Sequence, residues 1–192
     1  MAEDNIEIEI QVNVEKSEKL LNFLQKNAEF KYETHQKDEY FTPAHKNYLE
    51  QRPVKEWLRL RGSDGKYFIT YKNWHYLENG ESTHADEYET EVKDLETLRK
   101  IFSALDCKRL ITVNKHRKVW RYKDYEIAVD KIKGLGDFVE VEYYGKEFLD
   151  PKRINKEMLE FLKGLDCGEI KMNFVGYPFL LLFPDEVEYK IH

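Results

Sequence analysis

A chain of 192 residues has room for one large domain or two small ones. With 41% hydrophobic and 14% aromatic residues it can bury a core, and it does not read as a disordered chain. A net charge of -6 and a pI near 5.6 exclude broad adhesion to nucleic acid through a basic surface, although a small anion could be held where basic residues gather. Cys107 and Cys167 are too few and too far apart for a disulfide framework or a zinc knuckle, and read as reduced thiols of a cytoplasmic protein. The acidic start, MAEDN, has no apolar run behind it and does not read as a signal peptide. No segment nears the ~20 apolar residues of a membrane span.

The first element is IEIEIQV (6–12), whose strict alternation predicts a strand over 5–14. Its polar face opens with Glu7 and Glu9, like charges that repel on one strand face, and then turns to the neutral Gln11. A helix is predicted over 17–29, with Leu20, Leu21, Phe23, Leu24 and Ala28 as its apolar stripe and Ser17 as N-cap. Strands follow at 31–42, 55–62 and 66–73, the last two joined by the tight turn Gly62-Ser63-Asp64-Gly65. The segments 43–54 and 74–83 read as loops. Next come a strand at 84–93, a helix at 95–105 capped by Asp94, and strands at 108–121, 124–132 and 136–144, with Lys123-Asp124 turning between the first two. A helix over 151–164 starts at Pro151 behind Asp150 and stops at Gly164, a short fourth helix lies near 178–183, and PDEVEYKIH reads as a tail. The short turns favour antiparallel pairing.

The strand faces carry the functional signal. Glu7 and Glu9 oppose Ile6, Ile8 and Ile10, and Arg59 and Arg61 oppose Leu58 and Leu60. Glu87, Glu89 and Glu91 oppose Tyr88 and Val92; Glu126 and Asp130 oppose Ile127 and Val129; Glu140 and Glu142 oppose Val139 and Val141. Lys115 and Arg117 share a face. A solvated sheet face shows the same alternation, but it usually mixes signs, because opposite pairs stabilise and like pairs do not. Here sign is segregated by strand. About eight strands with three or four helices suit a sheet closed on itself, its charged face inward and its apolar face wrapped by helices. Acids and bases buried in separate zones are expensive. They point to a ligand of both signs, a polyphosphate with a divalent metal: carboxylates for the hard cation, arginines and lysines for phosphate oxygens.

These residues resemble the CYTH superfamily, the triphosphate tunnel metalloenzymes, which includes class IV adenylyl cyclases, thiamine triphosphatases and inorganic tripolyphosphatases. IEIEIQV is similar to the family's N-terminal ExExK strand, with Gln11 in place of the lysine. HQKDEYF (35–41) resembles the QxDxYF stretch of the class IV cyclase branch, WLRLRG (57–62) the xLRxR strand, and FITYK (68–72) the strand ending in a phosphate-binding lysine. EYETEV (87–92) is similar to the central acidic strand, KHR (115–117) to the KxR strand, and AVDKIKGLGDFVEVE (128–142) to the D-x-x-x-x-LG-x-F-x-E-x-E signature. The match covers about residues 5–145, so that 1–192 reads as a single CYTH-like domain with 146–192 as its C-terminal helical segment and tail.

The resemblance implies an α+β fold, a closed eight-stranded antiparallel barrel forming a tunnel with helices outside. It implies Glu7, Glu9, Glu140 and Glu142 as metal-side carboxylates for Mg2+ or Mn2+, with Glu89 and Asp130 beside them. Glu87 and Glu91 share the face of Glu89, and the sequence does not choose among the three. It implies Arg59, Arg61, Lys72, Lys115 and Arg117 as triphosphate ligands, and Glu7, Glu9, Gln11 and Asp130 as the catalytic set. The expected partner is a small molecule bearing a triphosphate, ATP or similar, with no nucleic-acid polymer and no membrane; the branch also implies a homodimer. The QxDxYF stretch favours conversion of ATP to cyclic AMP and pyrophosphate. Hydrolysis of thiamine triphosphate, tripolyphosphate or a nucleoside triphosphate is the alternative. Gln11 keeps open a non-catalytic polyphosphate-binding module, because a neutral donor contributes ~0.5–1.5 kcal/mol where a charged one contributes ~1.5–3. His35, His45, His75, His84 and His116 read as surface or packing residues.

Overall fold

The computed structural model describes residues 6–145 and 150–192, so the MAEDN start and the first residue of the strand expected at 5–14 lie outside the described residues. The strands are β1 (Ile6–Glu7), β2 (Glu9–Val14), β3 (Glu29–Thr42), β4 (Glu56–Ser63), β5 (Lys66–Tyr76), β6 (Ser82–Val92), β7 (Lys108–Tyr122), β8 (Tyr125–Ile132), β9 (Gly136–Tyr143), β10 (Ile170–Asn173) and β11 (Lys190–Ile191). The helices are α1 (Ser17–Asn27), α2 (Leu95–Ala104), α3 (Pro151–Gly164) and α4 (Gly176–Leu182). None of them is long and apolar enough to cross a membrane.

Among the described residues all eleven strands belong to one antiparallel sheet in the order β1-β6-β5-β4-β3-β7-β8-β9-β2-β10-β11. This corrects the expectation of a closed eight-stranded barrel: the hydrogen-bonded order is open, with β1 at one end and β11 at the other. The reason lies in the first strand, which divides at Ile8. Ile6 and Glu7 pair with Asp86 and Ala85 of β6, whereas Glu9–Val12 pair with β9 and Gln11–Val14 take β10 on their second edge. Among the described residues, only the two of β1 are left to meet β6 on that edge. β10 and β11 were missed because four residues, IKMN, and two residues inside the expected tail carry too little periodicity to read. The sheet nevertheless curls strongly. Lys72 of β5 lies 3.0 Å from Glu9 of β2, although these strands stand far apart in the order.

Local chemistry sets most boundaries. Asp94 accepts from Thr97 N at 3.0 Å and caps α2, and Asp150 accepts from Lys152 N at 3.2 Å ahead of Pro151 in α3. Ser17 does not cap α1: Lys16 holds the cap position, no side chain bonds there, and the helix ends at Asn27. The β4–β5 hairpin turns on Asp64 and Gly65, both left-handed (φ 46° and 82°), which matches the twist of the flanking strands.

Three apolar clusters hold the sheet. On the outer face α1 and α3 cover Ile10, Val12, Trp120, Ile127, Val139 and Val141 through Leu20, Leu24, Ile154, Met158 and Leu162. α2 covers Phe41 and Leu60 through Leu95 and Phe102. The third lies at one end of the inner face, where Tyr177, Phe179 and Leu180 of α4 pack against Tyr40, Trp57, Val113 and Phe138. The inner surface is therefore charged along part of its length and apolar at the end that α4 fills. Leu162 is fully buried, so Leu162→Ala should lower unfolding free energy by about 2–5 kcal/mol in chemical denaturation, through lost transfer energy and the cavity left behind.

Candidate functional site

The inner face places bases and acids in register. On β3 the inward series is Thr34, Gln36, Asp38 and Tyr40, all buried. Asp38 sits opposite Arg61 of β4 and accepts from its Nε and Nη2, each at 2.7 Å, a two-point fork. Arg59 lies one inward position along and donates to Thr70 of β5 at 3.0 Å and to Glu89 of β6 at 3.1 Å, with Glu87 3.5 Å away. Lys72 contacts Glu7, lies 3.0 Å from Glu9 and 3.3 Å from Glu87, and faces the Trp74 ring at 4.7 Å. On β7 Lys115 and Arg117 point the same way. Arg117 donates from Nε to Asp130 at 2.7 Å and also pairs with Glu140. Lys115 lies 3.8 Å from Asp130 and 4.0 Å from Asp38.

The carboxylates form rows across β8, β9 and β2. Glu126 faces Glu142, which faces Glu9; in the next row Ala128 faces Glu140, which faces Gln11. Gln11 Nε2 donates to Glu140 Oε1 at 3.4 Å. One row is thus all acid, with Arg121 reaching Glu126 at 3.1 Å from its edge. The other is relieved by an amide. Asp130, fully buried, also accepts from the Tyr177 hydroxyl of α4 at 2.9 Å, and Lys115 stands 5.3 Å from that ring.

Protonation follows these contacts. Burial raises Glu142, and Glu9 beside it raises it further, to about 8 against the pull of Lys72. Burial and then Glu9 also lift Glu7 well above the carboxylate range, with Lys72 opposing. Burial works against a charged Asp38, but Arg61, Arg59 and Lys115 outweigh it and hold its pKa low. Burial likewise opposes ionisation of Glu140, yet Arg117 and Lys115 bring it down to about 2. Lys115 falls to about 8 through burial and the neighbouring Arg117. In Arg59, Lys72 and Arg117 burial disfavours the charge, but the surrounding carboxylates reverse it and raise all three. Two inner carboxylates thus lack enough positive charge, while others are neutralised by bases.

All five expected phosphate ligands, Arg59, Arg61, Lys72, Lys115 and Arg117, come to this inner cluster, as do Glu7, Glu9, Gln11, Asp130, Glu140 and Glu142. Glu89 stands apart from those carboxylates on an exposed stretch, bonded to Arg59 and Thr70. Of the three β6 glutamates, Glu87 lies 3.3 Å from Lys72 and 3.5 Å from Arg59, and Glu91 is exposed. Among the described residues no three His, Cys, Asp or Glu side chains converge as a ready metal site. Lys72 stands among Glu7, Glu9 and Glu87 instead. Glu7, Glu9, Glu140 and Glu142 are hard oxygen donors of the kind that could hold a divalent cation. Sequence reasoning gave no role to Asp38, Thr70 or Tyr177. Asp38 had a usable signal, a lone acid on the inward register of β3; Tyr177 had none. Four of the histidines stack in pairs outside the cluster, His35 on His116 and His75 on His84.

A model of the CYTH domain matches residues 5–171. A Methanocaldococcus jannaschii protein whose name provisionally assigns it as an adenylate cyclase is 32% identical over 165 residues, 85% of this chain and 91% of that one. A Pyrococcus horikoshii structure superposes with a TM-score of 0.74 at 22% identity, covering 93% of this chain and 99% of the other. A Hippeastrum adenylyl cyclase homologue, described as having a dominant triphosphatase activity, superposes with a TM-score of 0.63 at 19% identity, covering 93% and 95%.

Asp38→Asn should destabilise the fold by about 3–5 kcal/mol in urea unfolding at pH 7, because it leaves a buried guanidinium half-paired. The Asp38 pKa is depressed on folding, so its stabilisation is present above the unfolded value of about 3.9 and lost as pH falls toward the folded value. Between pH 5 and pH 3 the wild type should therefore lose stability more steeply than Asp38→Asn.

Proposed function

Because the chain belongs to the CYTH family, we propose that it is a metal-dependent enzyme acting on a triphosphate-bearing small molecule, converting ATP to cyclic AMP and pyrophosphate in the manner of the class IV adenylyl cyclases. The observation that carries this reading is the inner face itself, where five cationic side chains from β4, β5 and β7 meet carboxylates from β1, β2, β3, β6, β8 and β9. Arg59, Arg61, Lys72 and Arg117 are already held by carboxylates, so they offer phosphate preorganised donors.

In this reading Arg59, Arg61, Lys72, Lys115 and Arg117 exchange internal carboxylate partners for phosphate oxygens and offset the charge that builds on the leaving pyrophosphate. Glu7, Glu9, Glu140 and Glu142 would hold Mg2+ or Mn2+, whose chemistry is to neutralise phosphate oxygens. Asp130 and Tyr177 keep Arg117 and Lys115 in place. The ribose 3′-oxygen bonds to the α-phosphorus, the α–β bridging bond breaks, and the hydroxyl proton leaves to solvent or a neighbouring carboxylate. The second reading, a triphosphatase in which water attacks the terminal phosphorus, draws support from the activity described for the Hippeastrum protein. The same cluster would serve it, with a different phosphorus presented to the nucleophile.

A panel of ATP, GTP, thiamine triphosphate and tripolyphosphate with Mg2+ or Mn2+, with products resolved chromatographically, tests the proposal. Cyclic AMP with pyrophosphate supports the cyclase, orthophosphate supports the triphosphatase, and tight binding without product leaves only a binding module. Arg59→Ala should weaken tripolyphosphate binding at least tenfold in calorimetry, the loss of one charge-assisted contact. Gln11→Lys should raise turnover by about tenfold if a cation beside Glu140 acts mainly in the transition state; a fall in turnover would mean the site is built around the amide.

A further inference from the structure

The wall of the inner face is thin where β1 meets β6. Among the described residues two pairs hold the strands together, Ile6 with Asp86 and Glu7 with Ala85. Immediately behind them Ile8 is fixed to β9, because its carbonyl accepts from Tyr143 N at 2.9 Å. Between Ala85 and the β5–β6 hairpin, the edge of β6 turned away from β5 meets no strand among the described residues. A cavity of about 280 Å3 opens there, with Glu9, Ile10 and Gln11 of β2 on one side and Glu81, Ser82 and Thr83 on the other. The ladder therefore ends at a gap in the wall. Each backbone hydrogen bond contributes little net, so a ladder of two pairs is weak by itself.

Contacts on the two sides of the gap decide what can move. The hairpin side is tied down. Asn155 of α3 donates to Thr83 O at 3.2 Å, Lys190 of β11 pairs with Glu81, and the Tyr76 hydroxyl donates to Phe174 O at 3.2 Å. None of these ties uses a member of the charged cluster. The β1 side is held differently. Lys72 of β5 reaches across the seam from inside, contacting Glu7 of β1 and lying 3.0 Å from Glu9 of β2 and 3.3 Å from Glu87 of β6. All four side chains are largely buried. One ammonium thus joins carboxylates from three strands. Without it, those carboxylates repel one another across the two-pair ladder.

We propose that Lys72 is the latch of a ligand-operated seam: a polyphosphate that draws its ammonium away releases β1 from β6, and the wall parts at Ile6–Glu7 with Ile8 as the fixed point. The inference rests on the triphosphate reading of the cluster. Its consequence is a route for a long anion through the side of the wall, at a distance from the end that α4 fills. The seams of β3 with β4 and β7 stay closed, because Arg61, Lys115 and Arg117 sit on much longer ladders.

Hydrogen exchange read by mass spectrometry on the full chain, with divalent metal chelated, tests this. With saturating tripolyphosphate, segments 6–8 and 85–87 should exchange about tenfold faster, the change expected when one charge-assisted contact no longer opposes opening. The hairpin at 76–83 and the β3–β7 ladder should not speed up. Lys72→Gln should show the fast seam exchange without ligand and no further rise with it. If that variant does not fold, the wild-type comparison decides alone. Calorimetry on the same sample separates the two assignments. If tripolyphosphate binds and the seam slows, keeps its rate or speeds up only as part of a rise spread evenly over the chain, the latch is overturned and the cluster assignment stands. If tripolyphosphate does not bind the wild type, both are overturned.

Discussion

A carboxylate with no exposure, Asp130, anchors the interior on which the site depends. It accepts from Arg117 at 2.7 Å and from Tyr177 at 2.9 Å, and Lys115 lies 3.8 Å away. A buried acid of this kind is tolerable only because its lone pairs are met, and removing one partner of such an arrangement typically destabilises by about 3–5 kcal/mol. The network ties β7, β8 and α4 together. It also fixes two cations at the boundary between the charged part of the inner face and the apolar end that α4 fills.

The same logic repeats with different partners around the curl. Asp38 fixes Arg61; Glu87 and Glu89 with Thr70 fix Arg59; Glu7, Glu9 and Glu87 surround Lys72. The pairing is uneven. The row of Glu126, Glu142 and Glu9 holds more negative charge than its neighbours offset, and Glu142 rises to about 8 through burial and Glu9. The adjacent row is calmer because Glu140 is its one carboxylate, set between Ala128 and Gln11, and Arg117 pairs with it.

Much of this was legible in the alternation of the strands. The side-chain period of two tells which residues share a face, and the segregation of sign told that the charged face was not merely wet. Alternation does not name partners. Nothing in IEIEIQV shows that the strand divides at Ile8 to serve β6 on one part and β9 and β10 on the other, so the closed eight-stranded arrangement was expected where an open order of eleven strands is found. Tyr177 was invisible for a related reason. It lies in GYPFLLL, which reads as an apolar segment, and its role comes from the depth to which α4 enters the inner face. Asp38 lay in a recognised stretch, yet only the register with Arg61 shows what it holds.

In the proposed reading the inner cations and carboxylates neutralise each other until a triphosphate and a divalent cation together replace both sets of partners. Thermal unfolding of the full chain with tripolyphosphate alone, Mg2+ alone and both together tests it most directly. Phosphate oxygens that draw off Arg59, Lys72 and Arg117 leave carboxylates free for the cation, so the two ligands should stabilise the fold by more than the sum of their separate effects. A purely additive shift, or none with both ligands present, would contradict it.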